Sequence, residues 1–526
     1  MKKNYLIILY EFFFIFLLLT DMNLFLCKPN NLKNPLYKYT KYYAIVVSKN
    51  TLNDSEWKKV VYALKEKYER FFNVTILVYE NNIWEVRNLL ASLLPDYICF
   101  VNKFNEVNPE FIKEVNRLTR ELDEDPYGDS IWAILTGYTA NDALRIINCK
   151  KLIVKRMLAG CAVVKWLKYV QEGIVTSEIQ YEKEWIKFSN GTIKEIKCPI
   201  DRTEFLARLL NSNKFDIFIT SGHANHNVWQ LHYPLPGSEG YFISKRGRLY
   251  GKTYNGKMIE IKTSNPKIYF GLGNCYIGSI INENSMPLAW IHSGGAIFYT
   301  GYVISEGPHS YQLGGIPAYF FVQDNYTWSE AFFANNQALI FDMLHKTPGV
   351  DPDYLRTDVD GAALYGEPAL QVNILPINPP LYDKKIIIKN MSNGRLNITI
   401  IIKMNYNGTP GWNGKWSNRH PVILLPFKIS NIIINSTNAY KVVATENFVL
   451  LYIWKLKDPP LKRGEERYVI MTADLLKRPL KIETKQIPQV HTIYDLLYPF
   501  FVVIIIIIII FIIFFYYYRK FRSEKK

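Results

Sequence analysis

Short β-branched runs alternate with amphipathic segments from Lys41 onward, and no other feature restricts the fold as much. YYAIVV is followed by DSEWKKVVYALKEKYERFF, then by VTILVY, IWEVRNLLASLL, YICFV and NPEFIKEVNRLTREL. Strands that are apolar on both faces need cover above and below. Helices with one apolar stripe supply that cover, so the pattern predicts an α/β fold, a mostly parallel sheet with flanking helices. A polar turn near Asp123 leads into a further strand and the helical stretch ANDALRIINC. Between Lys150 and Pro199 the rhythm fades. It returns with the helix RTEFLARLL, a strand ending at Ser221, the strand KIYFGLG ending at Asn274-Cys275, the strand AIFYTG and the helix WSEAFFANNQALIFDML. The α/β core therefore spans residues 41–373.

At 526 residues the chain exceeds one ordinary core. Past INPP the period of the pattern changes. KKIIIKN, LNITIIIKM, VILLPFKI, NIIINS, YKVVAT, FVLLYIW and RYVIMTA read as strands joined by Asn, Gly and Pro turns. Seven short strands in roughly 100 residues predict an all-β immunoglobulin-like sandwich over 381–485, on spacing alone.

Both ends are apolar. Residues 1–27 have a basic start and an apolar run, and read as a signal peptide or an uncleaved N-terminal anchor. Leu496–Phe515 matches the about 20 apolar residues that span a bilayer. Three tyrosines and a basic tail (516–526) follow it, which predicts a single transmembrane helix with the C-terminus in the cytoplasm and the body outside. Lipid is thus an expected partner. The net charge of +16 is inflated by the two ends: the last eight residues carry five basic groups and one acid. The remainder has no basic-aromatic stripe, which argues against nucleic-acid binding. Asn-x-Ser/Thr sequons at Asn53, Asn73, Asn190, Asn325, Asn390, Asn397, Asn407 and Asn435 agree with an exported glycoprotein. Six cysteines without paired spacing leave room for one or two disulfides but make no disulfide scaffold.

Open parallel sheets hold ligands beyond the carboxyl ends of their strands. Two strand ends carry reactive groups here: Ser221-Gly222-His223 and Gly273-Asn274-Cys275. A thiol is only slightly ionised near neutral pH, so an imidazole must take its proton before it attacks. The same imidazole then protonates the departing amine. Backbone N–H groups of Ala224 and Cys275 are the expected oxyanion hole, and Gly222, Gly271 and Gly273 would let the backbone approach a substrate. His226 and His232 stand close enough in sequence to replace His223. The three histidines lack acids at ligand spacing, so no metal centre is expected. An acid orienting His223 is sought among Glu172, Glu178 and Glu182.

At these residues the segment 125–372 resembles the gingipain family of cysteine peptidases, in the caspase-like clan. That family has a Gly-His-Gly at one strand end with a Trp shortly after, and a second strand ending in Cys with Gly a few residues on. Here Gly222-His223-Ala224 with Trp229 and Cys275-Tyr276-Ile277-Gly278 fill those places. DPYGDSIWAILTG, SGGAIFYTG and YGEPALQV match further family segments in the same order, and the β domain behind the catalytic part is also similar. The resemblance implies a caspase-like fold and a cysteine endopeptidase that cleaves polypeptides through Cys275 and His223, with no cofactor required; taken with the apolar ends, the reading is a membrane-anchored, extracellular enzyme. Ala224 departs from the family glycine, and its Cβ would crowd substrate if the backbone there needs φ > 0. The family binds calcium, and the acidic stretch Asp351–Gly361 invites that ion; without an EF-hand pattern it reads as a solvated loop. Two rivals share the same residues: a transpeptidase attaching surface proteins through the dyad, and an inactive scaffold or adhesin.

Overall fold

Tyr42–Ser48 (YYAIVVS) is buried along its whole length and pairs in parallel with Asn73–Tyr79 on one side and Tyr97–Val101 on the other. Such a strand has no solvent face, which explains its continuous apolar run. The computed structural model describes residues 39–231, 238–305, 311–375, 378–415 and 418–478. Within it, twelve strands form one sheet. From one edge the order is Asn73–Tyr79, Tyr42–Ser48, Tyr97–Val101, Ile131–Leu135, Ala362–Tyr365 and Ala296–Tyr302. It continues through Lys267–Gly271, Ile217–Thr220, Arg156–Gly160, Glu172–Thr176, Lys183–Lys187 and Ile193–Lys197. Eight of the eleven neighbouring pairs are parallel; the other three are antiparallel. The alternating pattern is therefore realised as a large, mostly parallel sheet flanked by helices.

The helices start where their caps allow. Asp54 caps Ser55–Tyr68 by accepting from the Glu56 N–H at 3.0 Å. Thr327 and Glu330 form a capping box on Trp328–Leu344. That helix is buried nearly all round, because the sheet lies on one side and the C-terminal β region on the other. Trp132 meets Phe332 edge-on at 5.6 Å, and Phe448 meets Phe333 at 6.0 Å. A helix apolar on every side belongs between two layers.

The stretch 150–199, where the pattern fades, contains five strands, three of them (Glu172–Thr176, Lys183–Lys187, Ile193–Lys197) ending the sheet. The last strand is exposed throughout and alternates Lys and Glu with Ile, so it carries no core signal. Its hairpin turns at Asn190-Gly191, with Gly191 at φ 85. That Asn-Gly pair was the usable clue. Between the histidine and the cysteine strands the chain inserts a second sheet of four antiparallel strands: Val228–Gln230, Tyr241–Lys245, Arg248–Lys252 and Met258–Ile261.

Past residue 381 seven strands form two antiparallel sheets. One is ordered Tyr382–Asn390, Leu396–Met404, Glu466–Leu475, Ile429–Thr437; the other Val422–Leu424, Phe448–Tyr452, Lys441–Ala444. Val422, Phe448 and Leu450 share the hydrophobic core with the α/β region, and the described residues from Lys41 to Arg478 form one compact unit.

Other expectations meet the structure unevenly. Cys99, Cys149, Cys161, Cys198 and Cys275 are all free thiols, so the room left for one or two disulfides is not used among the described residues. Asp351–Gly361 is no loop: Asp351 caps the helix Pro352–Gly361, Asp358 is buried, and Asp360 pairs with Arg117 and Arg120. Six sequon asparagines are exposed (53, 190, 325, 390, 407, 435), and Asn73 and Asn397 are half-buried. Residues 1–27, Leu496–Phe515 and the basic tail lie outside the described residues. Among the described residues, no helix is long and apolar enough to cross a membrane.

Candidate active site

Ile217–Thr220 and Lys267–Gly271 lie side by side in parallel, with Thr220 opposite Gly271. His223 follows the first strand by three residues and Cys275 the second by four, so both leave the sheet at the same, carboxyl, end of its strands. The Leu272 N–H donates to the Thr220 carbonyl at 2.8 Å, carrying the ladder past the last register pair. Asn274, fully buried, then ties the two turns together. Its Oδ1 accepts from Thr220 Oγ1 at 2.9 Å, and its Nδ2 donates to the Gly222 carbonyl at 2.9 Å. The residue before the cysteine thus holds the residue before the histidine. Asn274 went unnoticed in the sequence, since nothing in a lone Asn between Gly and Cys announces a cross-strand clamp.

The histidine turn is held from several sides. Gly222 adopts φ 90, and a Cβ built there would fall 2.0 Å from Glu178 Oε2. The glycine is needed for a left-handed backbone and for close approach of a carboxylate of the protein itself, not of a substrate. Gly271 is likewise filled by its own chain, a Cβ there lying 2.9 Å from Ile277. Trp229 Nε1 donates to the Ser221 carbonyl at 2.8 Å, and the Gln230 N–H donates to the His223 carbonyl at 2.9 Å. Ala224 forms a β-bridge with Trp229 and has no positive φ, so its Cβ brings no backbone strain. The left-handed residues at these two turns are Gly222, Gly273 and Tyr276.

Of the three acids considered, one reaches the site. Glu172 pairs with Arg156 at 3.1 Å and Glu182 with Lys197 at 3.0 Å, both near the surface. Glu178 is buried beside Gly222. Its Oε1 accepts from Ser221 Oγ at 2.6 Å, while Oε2 has no hydrogen-bond partner. Burial pushes its carboxyl up to about 7, against the pull of the Ser221 bond and of Arg202.

Cys275 is half-buried. Burial raises Cys161 to about 12 and Cys198 to about 11, and it raises Cys99 and Cys149 as well. His226 is half-buried with its carbonyl accepting from the Met286 N–H at 2.6 Å, and burial lowers its pKa. His223, exposed, is the imidazole that follows the strand end at Thr220 most closely in the chain; His232 lies outside the described residues. The YGEPALQV acid, Glu367, is structural. It is fully buried and accepts from Tyr43 Oη at 2.7 Å and from Tyr68.

One acidic cluster stands apart from the dyad. Asp123, Asp129 and Glu446 bring oxygen atoms within 4.8 Å of one another where the sheet meets the C-terminal strands. The Lys428 ammonium already sits there, 2.9 Å from Glu446 Oε1 and within hydrogen-bond reach of the Asp129 carbonyl. Burial pushes Asp129 up to about 9 and raises Glu446. A cluster whose centre is already taken by a lysine ammonium is a poor cation cradle.

No family model and no curated protein matches this chain.

Proposed function

We propose that the chain is a cysteine endopeptidase that hydrolyses peptide bonds through Cys275 and His223 and an acyl-enzyme intermediate. The observation that carries this reading is the Asn274–Gly222 hydrogen bond across adjacent parallel strands, which holds the turns bearing the thiol and the imidazole together at the carboxyl end of those strands. His223 takes the Sγ proton, and the thiolate attacks the substrate carbonyl. The N–H groups of Ala224 and Cys275 receive the oxyanion, and the imidazolium returns its proton to the leaving amine. Water activated by the neutral imidazole then releases the acyl group. We assign Glu178 as a positioning residue behind the histidine turn, where it bonds to Ser221 and packs against Gly222.

The finer architecture belongs to the same proposal. The α/β region is read as a caspase-like, gingipain-like catalytic domain and the seven strands as an immunoglobulin-like domain. A signal peptide or anchor precedes them. The span Leu496–Phe515 would hold the body at the outer face of a cell membrane, with residues 516–526 inside. Polypeptides are the substrates, and a family calcium ion would be structural only.

Cys275→Ala tests the reading. Peptide cleavage is expected to vanish, with the melting temperature unchanged; retained cleavage would end the proposal. An added amine nucleophile separates hydrolysis from transpeptidation, since only the latter gives amine-capped products.

A further inference from the structure

A cavity of about 370 Å³ opens between residues 162–166 of the α/β region and Gly414-Lys415 of the C-terminal β region. Its position follows from the sheet. Residues 162–166 continue the strand Arg156–Gly160, which is the histidine strand's other neighbour, with Gly160 opposite Thr220. The Ala162 N–H donates to Ser221 Oγ at 2.8 Å, two residues before His223. Trp166, fully buried, stacks on Phe270 of the cysteine strand with ring centroids 6.0 Å apart. Two lining residues of the cavity are therefore tied to the strands that lead to His223 and Cys275.

Its chemistry is specific. Val163, Val164 and Trp166 give apolar walls, and Lys165 and Lys415 stand exposed at the rim, brought together from regions 250 residues apart in sequence. Partial burial, followed by the charges of Lys415 and Lys168, holds the Lys165 ammonium below its ordinary pKa. Two ammonium groups gathered over an apolar floor are complementary to a short anionic side chain. Its methylenes would pack on the walls while its carboxylate relieved the repulsion between the lysines.

We propose that this cavity is a subsite for an acidic side chain, Asp or Glu, of the polypeptide that occupies the cleft. The proposal rests on the peptidase reading for the direction of the bound chain, and binding and cleavage test the two separately. The full-length Cys275→Ala protein is titrated with fluorescent peptides differing at one position, Glu, Gln or Lys, scanned along the sequence. At one position Glu is expected to bind about tenfold tighter than Gln, as charge-assisted contacts do. The double variant Lys165→Glu/Lys415→Glu is expected to prefer Lys at that position. Lys165→Gln and Lys415→Gln keep size and report whether folding survives. Equal binding of the three peptides, or an unchanged order in the charge-reversed variant, overturns the subsite. Free phosphate displacing the Glu peptide as effectively as an unlabelled copy overturns it too, because a simple anion hole would then suffice. Binding with the predicted preference but no cleavage by the wild-type chain refutes the peptidase reading and leaves the acidic subsite standing.

Discussion

Gly222 carries two constraints at once: a left-handed backbone and a carboxylate oxygen where a Cβ would be. Gly222→Ala is expected to cost about 2 kcal/mol in strain and to abolish cleavage, with thermal melts and peptide assays as the check. Glu178→Gln asks a different question. In the folded chain the Glu178 carboxyl titrates at about 7, above its ordinary value of 4.5. The folded state therefore binds that proton more tightly than the unfolded chain, and stability declines as pH rises from about 4.5 through 7. A difference of that size corresponds to about 3 kcal/mol. Glu178→Gln, which retains a partner for Ser221, should flatten that decline in denaturation curves taken between pH 4.5 and 8. It should also shift the pH profile of kcat/KM, an effect that a merely structural residue would not produce.

Two strand ends and one cross-strand side chain make the site. Asn274 satisfies Thr220 and Gly222 from a fully buried position. Asn274→Ala leaves both without that partner, so a loss of about 2 kcal/mol is expected. Because the clamp also sets the spacing of the turns, kcat/KM should fall further than stability alone predicts; urea titration and assays at saturating substrate separate the two effects. The strand ends themselves were legible, since Ser221-Gly222-His223 and Gly273-Asn274-Cys275 each close an apolar run. The clamp was not, because a hydrogen bond between segments 52 residues apart leaves no local pattern. Glu178 was recoverable only as one of three acids, and burial distinguished it.

The α/β region and the seven strands after residue 381 share one core, with polar contacts threaded through the seam. His420 Nε2 lies 3.0 Å from Asp342 Oδ1, and Tyr319 Oη donates to the His420 carbonyl at 2.6 Å. Lys428 bridges Glu446 and the Asp129 carbonyl. Lys428→Met removes the ammonium from that cluster and is expected to destabilise the whole chain by about 3 kcal/mol near neutral pH, in a single unfolding transition. Burial raises the pKa of both Asp129 and Glu446. As pH falls, Glu446 takes up a proton and no longer needs the lysine, so the deficit should narrow on acidification. Two separate melting transitions would show that the seam does not couple the regions.

The sequence alone determined the alternation of strands and helices, the change to an all-β pattern after INPP and the two strand ends with a thiol and an imidazole. These are local properties, set by side-chain periodicity and by glycines that stop a strand. Tertiary structure decided the order of twelve strands, the edge hairpin at Asn190-Gly191, the burial of Glu178 and the meeting of Lys165 with Lys415. Strand order depends on which apolar faces are covered together, and a carboxyl's pKa depends on the water excluded around it. Neither quantity is carried by neighbouring residues in the chain, so neither could be read from them.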